Sequence, residues 1–262
     1  MIFMLFLLSI ILSVDAFSAQ SASTISSLHE SLFLKANDYF HLKLTGNNPE
    51  YNKWSFDGSF GIAEWWDETS GSKLTGVSKN KAENDENILC TLNIWCGPAY
   101  NTPHLLLSFG SDKDSIFIRS DYVNRGPTPL GSDDRVLEKF YNSNVQKWYN
   151  SIMVADGVTA LKPLNFGSRL LHNSPVAIAA TGLDIDLLTS SCNTFVDTWL
   201  DWVTHEEQNN PRTRGGFNLR DDKLRSFAYS AARSEIAPFT NDIGLAGGWT
   251  GPISEAYVGG GS

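Results

Sequence analysis

The stretch from Asn101 to Arg125, NTPHLLLSFGSDKDSIFIRSDYVNR, constrains the fold more than any other part of the chain. Two apolar runs, Leu105–Phe109 and Ile116–Ile118, flank a polar turn from Gly110 to Asp114. This pattern predicts a β-hairpin with a loop somewhat longer than the two-residue minimum. Because the hairpin lies deep in the chain, both strands are expected at the centre of a sheet. Four polar side chains interrupt the runs: His104, Ser108, Arg119 and Asp121. Successive strand residues point to opposite faces. These four therefore either meet solvent in alternation or make one face of the hairpin the floor of a ligand pocket.

The elements around the hairpin follow from spacing. Leu28, Leu32, Leu34 and Phe40 predict a first helix within Ser26–Leu44. Trp54–Trp66 alternates aromatic and small residues and predicts a strand or hairpin, and Asn87–Trp95 predicts a strand. Ser70–Glu86 is polar and charged and reads as a loop around a short strand. Gly126–Asp134 is an irregular crossing, Asp133–Met153 has helical spacing, and Leu164–Ala180 reads as two short strands. Ile185–Val203 is the clearest amphipathic helix, with Leu188, Phe195, Val196, Trp199 and Val203 on one face. Leu219–Ile236 predicts another helix, and glycine pairs frame a short last one. Consecutive strands joined by short turns make an antiparallel sheet, and helices must cover its faces. The expected class is α/β.

Within residues 1–16, read as a signal peptide, Met1–Val14 is almost continuously apolar, MIFMLFLLSIILSV, but too short for an easy membrane span of about 20 residues. Val14 and Ala16 are small enough to precede a signal-peptidase cut before Phe17. Residues 17–25 then continue a serine-rich stretch that carries no acid until Glu30, the composition of a transit peptide. The two together resemble the two-part targeting sequence of algae with secondary plastids. The expectation is a plastid-stroma protein with one domain over residues 26–262 and no stable membrane insertion; the alternative is plain secretion.

Composition narrows the chemistry. The formal net charge is −9 without a dense Lys/Arg run, which argues against nucleic acid or an anionic membrane surface as a partner. Three cysteines, Cys90, Cys96 and Cys192, cannot hold a four-cysteine iron–sulfur cluster and lack zinc spacing. They read as small buried apolar residues, and no metal site is expected. There is no Gly-x-Gly-x-x-Gly after a strand, no Walker loop, no His-Glu-x-x-His and no Gly-x-Ser-x-Gly. A redox role would thus need electrons from outside the chain.

Pro103–Phe109 and Asp121–Arg125 resemble the central hairpin of red chlorophyll catabolite reductase, one of the ferredoxin-dependent bilin reductases. The likeness continues in order through Val136–Tyr141, Ser168–Leu171, Ser174–Ile178, Phe195–Leu200 and Asp222–Arg225, over roughly residues 88 to 258. The resemblance implies an α/β/α sandwich with a central antiparallel sheet and the substrate between the sheet and one helical layer. It implies ferredoxin-dependent reduction of an open-chain tetrapyrrole in chlorophyll breakdown, with no bound cofactor and with ferredoxin as external donor. Such a reductase must hold a flat molecule bearing propionates and must supply protons as electrons arrive.

The chain departs from the family at two acids. Where the family has Glu on the first hairpin strand, this chain has Ser108; the second family acid falls near Ala231–Ser234, and the nearest acid is Glu235. Serine can position a water but cannot donate a proton at neutral pH. The expected proton donors are accordingly His104, whose ordinary pKa is near neutral, Asp121 and Glu235. Ser108, Arg119, Arg125 and Arg169 are the expected substrate-binding residues, the arginines because they pair with carboxylates. Asp121 and Arg125 are four residues apart and could instead pair with each other, and Arg169 could meet an internal Asp. Loss of the family acids leaves open a non-catalytic tetrapyrrole carrier, and a secreted protein of unrelated function is the third reading.

Overall fold

The computed structural model describes the backbone over residues 2–45, 53–125, 138–162 and 174–206, except for a few single positions, and parts of the segment 221–239; side chains are described from residue 21. Nine strands form one sheet in the order β1-β3-β4-β5-β6-β7-β9-β8, with β2 also on β3, and every pairing is antiparallel. The strands are β1 (Leu42–Leu44), β2 (Trp54–Phe56), β3 (Ser59–Glu68), β4 (Leu74–Glu83), β5 (Asn87–Cys96), β6 (His104–Asp112), β7 (Ser115–Val123), β8 (Thr159–Ala160) and β9 (Ile178–Leu183). The helices are α1 (Ile2–Phe40), α2 (Ser143–Met153) and α3 (Ile185–His205).

One face of the sheet carries Cys90, Leu92 and Ile94 of β5, Leu105, Leu107 and Phe109 of β6, and Ile118 and Tyr122 of β7. Against it pack Ile25, Leu32 and Ala36 of α1, Val145 and Ile152 of α2, and the stripe Leu188, Cys192, Phe195, Trp199 and Val203 of α3. Asp184 starts α3 by accepting the Leu187 backbone N–H at 2.7 Å, and Asn142 caps α2 in the same way. The opposite face carries Trp54, Ala63, Trp65, Leu89, Trp95, Leu106, Phe117 and Val123, and packs against Leu224, Ala228, Ala231 and Phe239 of the C-terminal helical segment. Helices thus cover both faces, and the architecture is the expected α/β/α sandwich. Among the described residues no helix is long and apolar enough to cross a membrane.

Four expectations change. Residues 74–83, read as mostly loop, form the ten-residue strand β4. Alternation was hidden because both faces of β4 are buried and both carry polar residues. Lys79 reaches Glu30 of α1 at 2.7 Å, while Ser78 and Asn80 lie on the opposite face and bond each other. The hairpin loop is shorter than expected: Asp112 pairs with Ser115, so only two residues connect β6 and β7. Lys113 supplies the positive φ (+53°) that such a turn requires. The first helix stops at Phe40, where His41 turns into the left-handed region (φ +51°) and Leu42–Leu44 pairs with β3. In the region read as one helix over Asp133–Met153, residues 138–140 and Ser143–Met153 are helical with a break at 141–142, where Asn142 caps the second piece, and residues 133–137 lie outside the described residues.

One glycine fixes how β9 meets the cavity described next. Gly182 has φ +84°, and a Cβ there would lie 2.3 Å from the Gly157 carbonyl oxygen. Only glycine lets β9 pass the turn after α2 this closely.

Candidate functional site

The register of the central strands lines up side chains of one face into rows, because directly paired residues point the same way. Asn80 pairs with Thr91, Thr91 with Ser108 and Ser108 with Arg119. This row crosses β4, β5, β6 and β7 on the face covered by the C-terminal segment. Its members are polar although Asn80 and Thr91 are fully buried. Buried polar groups are costly unless bonded. The Asn80 amide donates to Ser78 Oγ at 2.6 Å and to Thr91 Oγ1 at 3.2 Å, and its oxygen accepts the Glu64 backbone N–H at 3.2 Å.

The row ends in a cavity of about 420 Å³, within the ~300–1,000 Å³ usual for small-molecule sites. Phe117, Leu161 and Phe239 give it apolar walls, and Arg119, Glu235 and Asp112 are its charged side chains among the described residues. Ser108 Oγ donates to Glu235 Oε2 at 3.2 Å. Burial pushes the Glu235 carboxyl above the ordinary range, against the opposing pull of Arg119 and of the Ser108 bond. The Arg119 guanidinium carbon stands 4.9 Å from the centre of the Phe117 ring, and its Nε is buried without a hydrogen-bond partner among the described residues. A cation with an unused donor, a carboxyl biased toward its neutral acid form, and apolar walls suit an apolar anion that takes up a proton.

Three residues singled out from the sequence therefore meet in one place: Ser108, Arg119 and Glu235. Three others lie elsewhere. His104, read as a proton donor, is fully buried and does not line the cavity. Its Nδ1 accepts the Cys96 backbone N–H at 3.0 Å, so Nε2 carries the hydrogen and donates to Asp221 Oδ1 at 2.9 Å. Burial lowers its pKa, which holds the ring neutral. Arg125, read as a substrate ligand, makes a two-point contact with Asp221 at 3.1 and 2.5 Å and donates to the Gly97 and Tyr100 carbonyls at 2.9 and 2.7 Å. Burial alone would raise Asp221, yet His104 and Arg125 together hold it below the usual carboxylate range. His104, Arg125 and Asp221 form a clamp that ties the hairpin to the C-terminal segment. Asp121 is fully buried and accepts hydrogen bonds from the Ser174 backbone N–H, at 3.3 Å, and from the Ser174 hydroxyl. Arg169 lies outside the described residues.

Sequence reasoning missed Phe117, Phe239 and Asp221. Phe117 was legible, since it stands two residues before Arg119 and so shares its face. Nothing local marks Phe239 or Asp221, which reach the sheet from far along the chain. The cysteines are all buried, and burial raises each thiol above its ordinary pKa. Among the described residues no group of three or more His, Cys, Asp or Glu could hold a metal ion.

No protein-family model matches the sequence, and no curated protein sequence does. Among solved structures, phytochromobilin synthase from tomato in complex with biliverdin aligns over 89% of this chain and 82% of its own, with a TM-score of 0.68 and 11% sequence identity. The two share a fold. That fold is kept although nearly nine in ten aligned residues differ, so what is shared is the sheet and its helical layers.

Proposed function

We propose that the protein is a ferredoxin-dependent reductase of an open-chain tetrapyrrole, with a red chlorophyll catabolite as its substrate in chlorophyll breakdown. One observation carries this reading: Arg119 and Glu235 line a mostly apolar cavity, and Glu235 is bonded to Ser108, the strand position where the resemblance expects an acid. The tomato structure that shares the fold is of a protein in complex with biliverdin, itself an open-chain tetrapyrrole, which supports the ligand class. Ferredoxin as donor rests on the resemblance of the hairpin and its following segments, and on the lack of a nucleotide motif in the sequence.

Reduction of one double bond takes two electrons, delivered singly, and two protons. Each electron adds negative charge to the conjugated system, so a nearby acid lowers the barrier. Glu235 is suited to give the first proton because burial keeps it protonated further up the pH scale than an exposed glutamate. It supplies the carboxyl that Ser108 cannot, from the helical layer instead of the strand. Arg119 pairs with a propionate, and Phe117 and Phe239 cover the flat ring system. The second proton comes from solvent.

The test mixes purified protein with red chlorophyll catabolite or with biliverdin under anaerobic conditions and records spectra before and after reduced ferredoxin is added. Binding shifts with subsequent bleaching are expected. Glu235→Gln is expected to bind pigment as before and to turn it over at least about a hundredfold more slowly, within the usual range for a general acid. Tight binding without bleaching in the unmodified protein would make it a carrier. Absence of any binding would refute the reading.

A further inference from the structure

Charge is spread unevenly along the cavity, and the strand register gives its order. Asp112 pairs with Ser115, and Ser108 with Arg119. Ser115, Phe117 and Arg119 alternate along β7, so their side chains share one face. Four residues of strand separate Ser115 from Arg119, about 13 Å at the usual rise. The Arg119 side chain lies against Phe117, between them, with its guanidinium carbon 4.9 Å from the ring centre. The cavity thus carries an acid at one end, an aromatic ring with a cation against it, and then Glu235 bonded to Ser108. The three charged groups are not equivalent. Burial biases Glu235 toward its neutral form. Arg119 is the one cation among the described lining residues, and its buried Nε still lacks a partner there. Asp112 is exposed at the end of β6, so the cavity meets solvent at this end. Among the described residues its carboxylate has no hydrogen bond and no ion pair. It is an uncompensated anion at the rim of a site with one cation.

We propose that Asp112 is a specificity-determining residue: it disfavours a second carboxylate, so that the cavity selects open-chain tetrapyrroles that carry one. An open-chain tetrapyrrole with two propionates holds them on its inner rings, along one edge of the molecule. Once one of them pairs with Arg119, the other is delivered to the same side of the cavity. There it finds no second cation among the described lining residues and meets the Asp112 charge. Selectivity then comes from a repulsive element set against the wrong ligand, beside the attractive one for the right ligand. Asp112 is exposed, so solvent screens the repulsion and the discrimination is modest and salt-dependent. This rests on the tetrapyrrole reading above and deepens it by setting the charge of the pigment.

The experiment is a spectral titration of the full chain with biliverdin, which carries two propionates, and with its monomethyl ester. The ester keeps the chromophore and loses one charge. At low ionic strength the unmodified chain is expected to bind the monoester about three- to tenfold more tightly than biliverdin. Asp112→Asn keeps the shape and removes the charge. It is expected to tighten biliverdin until the two ligands differ by less than about twofold, with the monoester nearly unmoved. Asp112→Lys is expected to reverse the preference. Raising the salt to about 0.5 M is expected to narrow the gap in the unmodified chain and to leave Asp112→Asn as it is. Equal affinities in the unmodified chain overturn the proposal, as does a preference that survives in Asp112→Asn. A variant that tightens both ligands by the same factor also overturns it, because Asp112 would then not count carboxylates. Absence of binding by either pigment overturns it together with the tetrapyrrole reading. The expected preferences in a protein that never bleaches pigment would keep the selectivity and remove the reductase; bleaching with equal affinities would do the reverse.

Discussion

His29 makes the stability of this fold depend on pH in a way that one variant isolates. The residue lies on the inner face of α1, is 2% exposed, and its Nε2 donates to the Thr91 carbonyl at 2.9 Å. Burial, opposed by the bond to Thr91 and aided by Lys79, lowers its pKa from 6.5 to about 4. The unfolded chain therefore takes up the proton first. The neutral imidazole contributes its full share above about pH 6.5, and that share is lost as pH falls toward about 4, where both states become protonated. The difference of about 2.5 pH units corresponds to about 3 kcal/mol, of which about 2.5 kcal/mol is gone by pH 4.5. Buried His104 and the carboxylates add their own slopes, but they are the same in a variant that lacks only His29. Urea unfolding of the unmodified chain and of His29→Leu, compared at about pH 7 and about pH 4.5, is expected to show the stability gap move by roughly 2–3 kcal/mol in favour of the variant. A gap that stays constant within about 0.5 kcal/mol would refute the reasoning, because it would mean that His29 is protonated as easily in the folded state as in the unfolded one.

Three further outcomes are expected. Asp221→Asn removes the negative charge that bonds both the 1% exposed Arg125 guanidinium and His104; a loss of about 3 kcal/mol or more in urea unfolding is expected, and a loss under about 1 kcal/mol would show that the clamp is not structural. Arg119→Gln keeps a donor but removes the cavity's cation, and spectral titration is expected to give pigment affinity roughly tenfold to a hundredfold weaker, whereas unchanged affinity would move the propionate elsewhere. We propose import into the plastid stroma: a fluorescent fusion carrying about the first 40 residues is expected to arrive there, Phe17→Ala to divert it, and secretion of the unmutated fusion would rule the route out.

The hairpin was legible because two apolar runs flank a polar turn and its polar residues fall at even spacing within each strand, but the pairing of Ser108 with Arg119 needed the two-residue turn that only the structure shows. β4 was not, and the reason is physical. A strand announces itself by alternation only when one face is apolar and the other wet. β4 has Lys79 and Lys81 toward the helices and Ser78 and Asn80 toward the opposite face. Lys79 and Asn80, both buried, are tolerable because of partners on other elements: Glu30 of α1 for Lys79, and Thr91 of β5 for Asn80. Local reading sees the polar groups and not the partners. His104 and Arg125 mislead for the same reason. Both have the chemistry of a site, and both are spent on Asp221, nearly a hundred or more residues later. Glu235 is the opposite case. It stood out in the sequence only as the acid nearest a missing one, and the fold brings it from the C-terminal segment onto Ser108. The carboxyl comes from the covering layer, yet its Oε2 lies 3.2 Å from Ser108 Oγ, so it enters the cavity beside the strand position it stands in for. A pigment in the cavity would meet Ser108 and Glu235 from the same side, so the reaction face is testable: protonation from the side away from Ser108 would remove Glu235 as the donor.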